Sequence, residues 1–300
     1  MPPSIPASAT SEVPGGGRAA AHESYWMAAG RRLRRHRLAM LGLTIIALII
    51  LLAVFAPAIS PQDPLAIDYA HPATAPGVGG HVLGTDAVGR DILARLIYGT
   101  RISLQVGVVA VGIAATLGTA VGLAAGYYGR WLDSLLMRTV DVFLAFPLIV
   151  LAIAIIAVLG PSLSNVMMAL GLVAWTTYAR VVRGQVLVLR ELDFVQAARA
   201  IGVSDGRIIV RHILPNALAP VIVLATLGMA TAIIAEAALS FLGLGVQPPT
   251  PSWGTMLNEG RAFLRTAPHI STLPGLAIML TVLGFNFLGD GLRDALDPRL

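Results

Sequence analysis

Residues 38–59 read LAMLGLTIIALIILLAVFAPAI, 22 residues without one charged side chain. A helix needs about 20 predominantly apolar residues to cross the hydrocarbon core of a bilayer, so this run predicts a transmembrane span. It follows a basic cluster, Arg31, Arg32, Arg34, Arg35 and Arg37, and it ends at Pro57 and Pro61.

The rest of the chain agrees with lipid as its solvent. Across 300 residues, 56% are apolar, 12% are charged and the mean hydropathy is +0.78, whereas soluble chains carry about 25% charged residues. By the same length criterion, further spans are predicted near Ser103–Tyr127, Val142–Leu159, Asn165–Val182, Ala217–Leu244 and Leu273–Leu292, with Gly160 and Pro161 turning the chain between the third and fourth. The expected fold is therefore an all-α polytopic membrane protein with about six spans. Residues 1–35 hold no early apolar run and read as a disordered cytoplasmic tail, not a signal peptide. Residues 36–300 form one transmembrane domain.

Arginine placement orients the spans, because basic residues near span ends are retained on the cytoplasmic side. All 21 basic residues are arginine. With the amino terminus inside, sixteen fall in inner segments and five (Arg90, Arg95, Arg101, Arg261 and Arg265) in outer ones. Both termini are thus expected in the cytoplasm. The absence of lysine excludes a P-loop, whose ammonium group must reach the nucleotide phosphates. The absence of cysteine excludes disulfides and thiolate chemistry. His22, His36, His71, His81, His212 and His269 show no ligand-like spacing, so no metal site is expected. Nothing points to nucleic acid.

Gly118, Gly122 and Gly126 recur every fourth residue on one face of the second span. Such a stripe lets a neighbouring backbone approach closely, either inside the bundle or across a subunit contact.

Residues 191–215, ELDFVQAARAIGVSDGRIIVRHILP, are too polar to cross the membrane and too patterned for a loose loop. Phe194, Val195, Ala198 and Ile201 are expected on one face of a short helix that Gly202 ends in a left-handed turn. Ser204 is placed to cap a second short helix, and Pro215 to open the fifth span. Such an element suits insertion into a groove on a partner. An amphipathic helix resting on lipid headgroups is the alternative.

This segment resembles the EAA loop of bacterial ABC importer permeases: Glu-Ala-Ala, three residues, Gly, nine residues, Ile, one residue, Leu-Pro. Gln196, Ala197, Ala198, Gly202, Leu214 and Pro215 match its spacing. Gln196 stands in the Glu position and His212 in the Ile position, with Ile213 beside it. HVLGTDAVGRDILARLIYGTR (residues 81–101), MRTVDVFLAFP (residues 137–147) and EAALSFLGLGVQPPTPSWG (residues 236–254) are similar to segments of the second permease of the dipeptide, oligopeptide and nickel group. The resemblance implies a type I importer domain in a bacterial inner membrane, paired with a homologous permease. It also implies two cytoplasmic ATPase subunits that dock on the EAA loops and bind ATP and Mg, and an external solute-binding protein. No cofactor is implied for this chain. Phe194, Gln196, Ala197, Ala198, Gly202, Leu214 and Pro215 would couple it to the ATPase.

Some residues admit two roles. Asp86 with Arg90, and Asp91 with Arg95, are four apart and are expected to pair on an exposed outer helix for about 0.3–0.5 kcal/mol each. Glu236, in the outer half of span five, either joins a hydrogen-bonded cap or lines the pore. Asp141 is expected to pair with Arg138, with a pore position as the alternative. Trp253, after Pro248, Pro249 and Pro251, is expected to anchor at the headgroup region.

A competing class is an ion-coupled secondary transporter using Glu236 and Asp141. Inverted repeats and broken spans with several buried acids, usual in such folds, are not visible. A membrane-embedded enzyme lacks HExxH, GxSxG or paired intramembrane aspartates.

Overall fold

The computed structural model of the protein describes residues 25–60 and 62–296. These hold α1 (Tyr25–Arg35), α2 (Arg37–Val54), α3 (Ala56–Ile59), α4 (Ile92–Tyr128), α5 (Arg130–Leu144), α6 (Leu148–Leu159), α7 (Leu163–Leu189), α8 (Asp193–Ala200), α9 (Asp205–Ile208), α10 (Leu214–Phe241), α11 (Trp253–Gly260) and α12 (His269–Leu296). A π-helical turn, Ile209–Ile213, joins α9 to α10. No strand occurs among the described residues.

Five stretches are long and apolar enough to cross a membrane: α2, α4, α7, α12 and the joined Asp205–Phe241. The sixth expected span exists only as a bent pair, with α5 and α6 meeting at 89°. One helix was expected over 142–159, but Pro147 has no N–H to donate and disfavours helical torsions at Phe146. The helix therefore stops at Leu144 and restarts at Leu148. Gly160, at φ +88°, then turns the chain, and Ser162 caps α7 by accepting from the Asn165 N–H at 3.1 Å.

The second span begins at Ile92, not near Ser103. Its 37 residues reach about 55 Å, well beyond the roughly 30 Å hydrocarbon core. Arg95 and Arg101 hide the extra turns from a hydropathy reading. Both cations are satisfied by the fold, and Arg101 donates to the carbonyls of Ala53 and Val54 at the end of α2. The tail expectation needs a similar correction. Residues 1–24 lie outside the described residues, but 25–35 form α1, a segment of good helix formers in which Ala29 is buried and Leu33 lies beside Gly291 of α12.

The bundle is organised around α4 and α7. A Cβ on Gly122 would stand 2.6 Å from the Ala179 carbonyl oxygen, and one on Gly126 would stand 2.7 Å from the Val186 Cβ. A Cβ on Gly118 would collide with the Trp175 carbonyl oxygen. On the facing helix, a Cβ on Gly171 would meet the Ile113 Cβ at 2.7 Å. The stripe is thus an internal seam: α4 presents no side chain at these three positions, so the α7 backbone and the Cβ atoms of Tyr178, Val182 and Val186 come directly against it. Gly122→Leu is expected to destabilise the protein by about 1–3 kcal/mol through overpacking. It should lower the thermal midpoint in detergent, while Gly112→Leu, whose added Cβ would meet nothing within 4 Å, should leave that midpoint unchanged.

Candidate functional site

At the end of the bundle where α4 and α7 finish, α8 and α9 form a helix–turn–helix. Gly202 sits between them at φ +80°, the left-handed conformation that glycine adopts without strain. Ser204 holds the cap position of α9, but its side chain makes no cap bond. Pro215 lies in the first turn of α10, where its missing N–H is not needed.

The expected single face of α8 is in fact two. Val195 and Ala198 point inward, 0% and 6% exposed, and join the main core with Ile208 and Ile213. Phe194, Ala197 and Ile201 point outward, and Ile201 is 81% exposed. The spacing 194, 197, 201 is as helical as 195, 198, so periodicity alone could not divide them. His212 lies against Phe194, with ring centroids 6.3 Å apart, while the neighbouring Ile213 fills the interior.

Several polar contacts fix this element to the bundle. Gln196 Nε2 donates to the Arg190 carbonyl at 2.8 Å, and Arg190 Nη1 donates to the Gly126 carbonyl at 2.8 Å. Tyr127 donates from its hydroxyl to Asp205 Oδ1 at 2.6 Å, and the Arg199 guanidinium lies 5.5 Å from the Tyr127 ring centroid. Gln196 therefore faces its own chain, where an amide can donate and an ionised glutamate could not. Tyr127, Arg190 and Asp205 carried no motif in the sequence, and only the tertiary fold brings them to one place.

Between α4, α5, α7 and α10 lies a cavity of about 290 Å³, lined by Val111, Phe143, Phe146, Leu170, Tyr178 and Leu227 among others. Asp141 and Arg180 lie next to its lining residues on α5 and α7, with Arg180 Nη2 2.6 Å from Asp141 Oδ1. The expected partner of Asp141 was Arg138; α7 supplies Arg180 in its place. Glu236 is fully buried and accepts from the Ser240 hydroxyl at 2.7 Å, and Ser240 Oγ in turn accepts from the Val246 N–H. Through Ser240 it pins the turn after α10, and it is not one of the residues that line this cavity.

At the opposite end, the expected exposed pairs become a buried knot. Asp86 binds Arg90 at 2.6 Å and also binds Arg95, and Glu259 of α11 bonds to both arginines at 2.9 and 2.7 Å. Arg95 is 1% and Asp86 2% exposed. The expected Asp91–Arg95 pair does not form. Asp91 accepts from the Ala94 N–H to cap α4, and its other oxygen meets His81 Nδ1 at 2.9 Å. Trp253 is no headgroup anchor: it is 2% exposed, donates from Nε1 to the Leu96 carbonyl, and packs where Gly99 leaves room.

A transport subunit is the class of protein that these features define, with spanning helices around a cavity and a rigidly mounted helix–turn–helix at one end. The sequence matches the family described as binding-protein-dependent transport system inner membrane component over residues 118–300, and the N-terminal TM domain of oligopeptide transport permease C over residues 24–76. It is 52% identical over 277 residues to a dipeptide transport system permease protein, DppC, of Alkalihalophilus pseudofirmus, covering 92% of this chain and 91% of that one. It is 50% identical over 276 residues to a glutathione transport system permease protein, GsiD, of Escherichia coli, covering 92% and 91%. In fold it resembles a chain of the MetNI methionine ABC transporter in an inward facing conformation, at a TM-score of 0.54 and 21% identity, over 68% of this chain and 96% of that one. The chain belongs to the binding-protein-dependent transport system inner membrane components, and it is a multi-pass permease of an ABC importer.

Two outcomes test the knot and its loop. Arg95→Met, which leaves a buried carboxylate short of one cation, is expected to cost about 3 kcal/mol, read as a lower thermal midpoint that Asp86→Leu added to it partly restores. His81 is raised above the usual imidazole value, first by its hydrogen bond to Asp91, and Asp68 is lowered to about 2, first by its bond to His71. A raised histidine contributes stability that is complete below about pH 6.5 and is lost as pH rises through its folded value. Hydrogen-exchange protection over residues 62–91, corrected for intrinsic rate, should therefore be higher at acid than at alkaline pH, and His81→Gln should flatten the difference. Asp68 acts only in strong acid, so it leaves that window unaffected.

Proposed function

We propose that the chain is one of two homologous permeases in an importer that carries di- or oligopeptides, or similar small solutes, into the cytoplasm. Two ATPase subunits would supply ATP hydrolysis, and an external solute-binding protein would deliver the cargo. The dipeptide and glutathione relatives support the substrate class, and the arginine bias supports cytoplasmic termini and a cytoplasmic α8–α9 element. One observation carries the coupling role. Phe194, Ala197 and Ile201 present an apolar stripe outward from an element that is itself tied to α4, α7 and α10. Apolar side chains on a helix–turn–helix suit a groove on a partner, and the fixed mounting passes the partner's movement into the spans as a rigid body. Alternating access of the pore would follow.

Gly202→Val tests this. A β-branched residue resists the left-handed region, with a penalty of about 1–2 kcal/mol, and no neighbouring atom lies within 4 Å of the added Cβ to confuse the cause. The expected outcome in proteoliposomes is normal insertion and continuing ATP hydrolysis, with uptake falling by about tenfold or more. Unchanged uptake would remove the coupling role. Vanadate should stop transport in the unaltered complex, and an uncoupler acting at constant ATP should not.

A further inference from the structure

Two aspartate–arginine bridges join α5 to α7, one helical turn apart on α7. They are built differently. Asp133 accepts from both Nε and Nη2 of Arg183, and the two side chains are 18% and 31% exposed. Asp141 accepts from Arg180 through Nη2 alone, and the pair is 64% and 57% exposed. The first bridge is a forked, half-covered brace and holds the helices together. The second adds little to that brace and leaves both charged groups open to other partners.

Its position gives the open pair a use. Arg180 lies nine residues before the end of α7, about 14 Å into that helix. Because the 27 residues of α7 reach about 40 Å against a hydrocarbon core of roughly 30 Å, Arg180 falls near the inner edge of that core, where a half-exposed ion pair is better served by water than by lipid tails. The nearby chain break points the same way. Ala145, Phe146 and Pro147 are exposed and outside any helix, and α6 alone, at 12 residues or about 18 Å, is too short to cross. Non-helical backbone at membrane depth is tolerated where it lines a cavity, and Phe146 does line the cavity of about 290 Å³. Asp141 shares a face of α5 with Leu144, and Arg180 shares one of α7 with Thr176, both cavity residues. The pair thus continues the cavity wall.

We propose that Asp141 and Arg180 form a subsite for the charged ends of a short zwitterionic peptide in passage. The α-ammonium group would exchange onto Asp141, the α-carboxylate onto Arg180, and an apolar side chain would occupy the cavity. The subsite rests on the reading of this chain as a peptide importer permease.

The assembled transporter, with its binding protein saturated by glycyl-phenylalanine, is reconstituted in proteoliposomes, and uptake and ATP hydrolysis are followed together. Arg180→Gln and Asp141→Asn should each lower uptake by about tenfold or more while hydrolysis stays within about twofold. Arg180→Lys and Asp141→Glu, which keep the charges, should retain most uptake, and they carry the test if the neutral variants fail to assemble. The double exchange of Asp141→Arg with Arg180→Asp keeps an ion pair but inverts its sense, and uptake should stay low. Wild-type uptake in the double exchange would show a mere strut and overturn the subsite. So would wild-type uptake in the neutral variants, or loss of uptake in the charge-keeping ones equal to that of the neutral pair. If the unaltered complex takes up no peptide under ATP, the peptide reading itself falls, and the subsite falls with it.

Discussion

The close approach of α4 and α7 is the constraint on which the other features depend. Without side chains at Gly118, Gly122 and Gly126, the two backbones lie in contact, so the ends of both helices are held at a fixed separation. Helices in lipid gain little from burying apolar surface against one another, and dense packing of this kind is what remains to hold them. At one end of the seam, Tyr127 of α4 and Arg190 after α7 reach the helix–turn–helix and fasten it. Along the same helices lie the walls of the cavity.

The two ends of the bundle are stabilised by different chemistry. The α8–α9 element is held by buried aliphatic residues and by a few single contacts, Tyr127 to Asp205, Arg199 to the Tyr127 ring and Gln196 to the Arg190 carbonyl, which leaves one face of α8 free. The opposite end is locked by buried charges in the knot of Asp86, Arg90, Arg95 and Glu259, joined to the docking of Trp253 over Gly99. A buried ion cluster is weak evidence for net stability, but removing one member is strongly unfavourable. Such a knot therefore fixes which segments meet. The loop before α4 and the helix α11 are set in place by it.

Motion in a permease must pass through its discontinuities. Here these are the left-handed turn at Gly202, the π-helical turn before α10 and the break between α5 and α6. The first two lie between the exposed stripe of α8 and a spanning helix, and the third lies beside the cavity. A rigid seam with breaks at its periphery is the arrangement that the proposed coupling requires, since displacement at one end would then reach the cavity as a change of shape.

The sequence by itself determined the solvent, the existence of the five apolar spans and the turn residues Gly160, Gly202 and Pro215. Those features depend on local composition and on backbone torsions, which each residue carries with it. It also placed the glycine stripe, though not the helix that fills it. Only the tertiary structure decided which charge meets which. Arg95 pairs with Asp86 and Glu259 instead of Asp91, and Asp141 pairs with Arg180 instead of Arg138, because the loop before α4 folds Asp86 back onto that helix and because Glu259 and Arg180 come from helices far away in the chain. The division of α8 into Val195 and Ala198 inward, and Phe194, Ala197 and Ile201 outward, was likewise settled by packing. Both stripes have helical spacing, and what separates them is the core against which one of them rests.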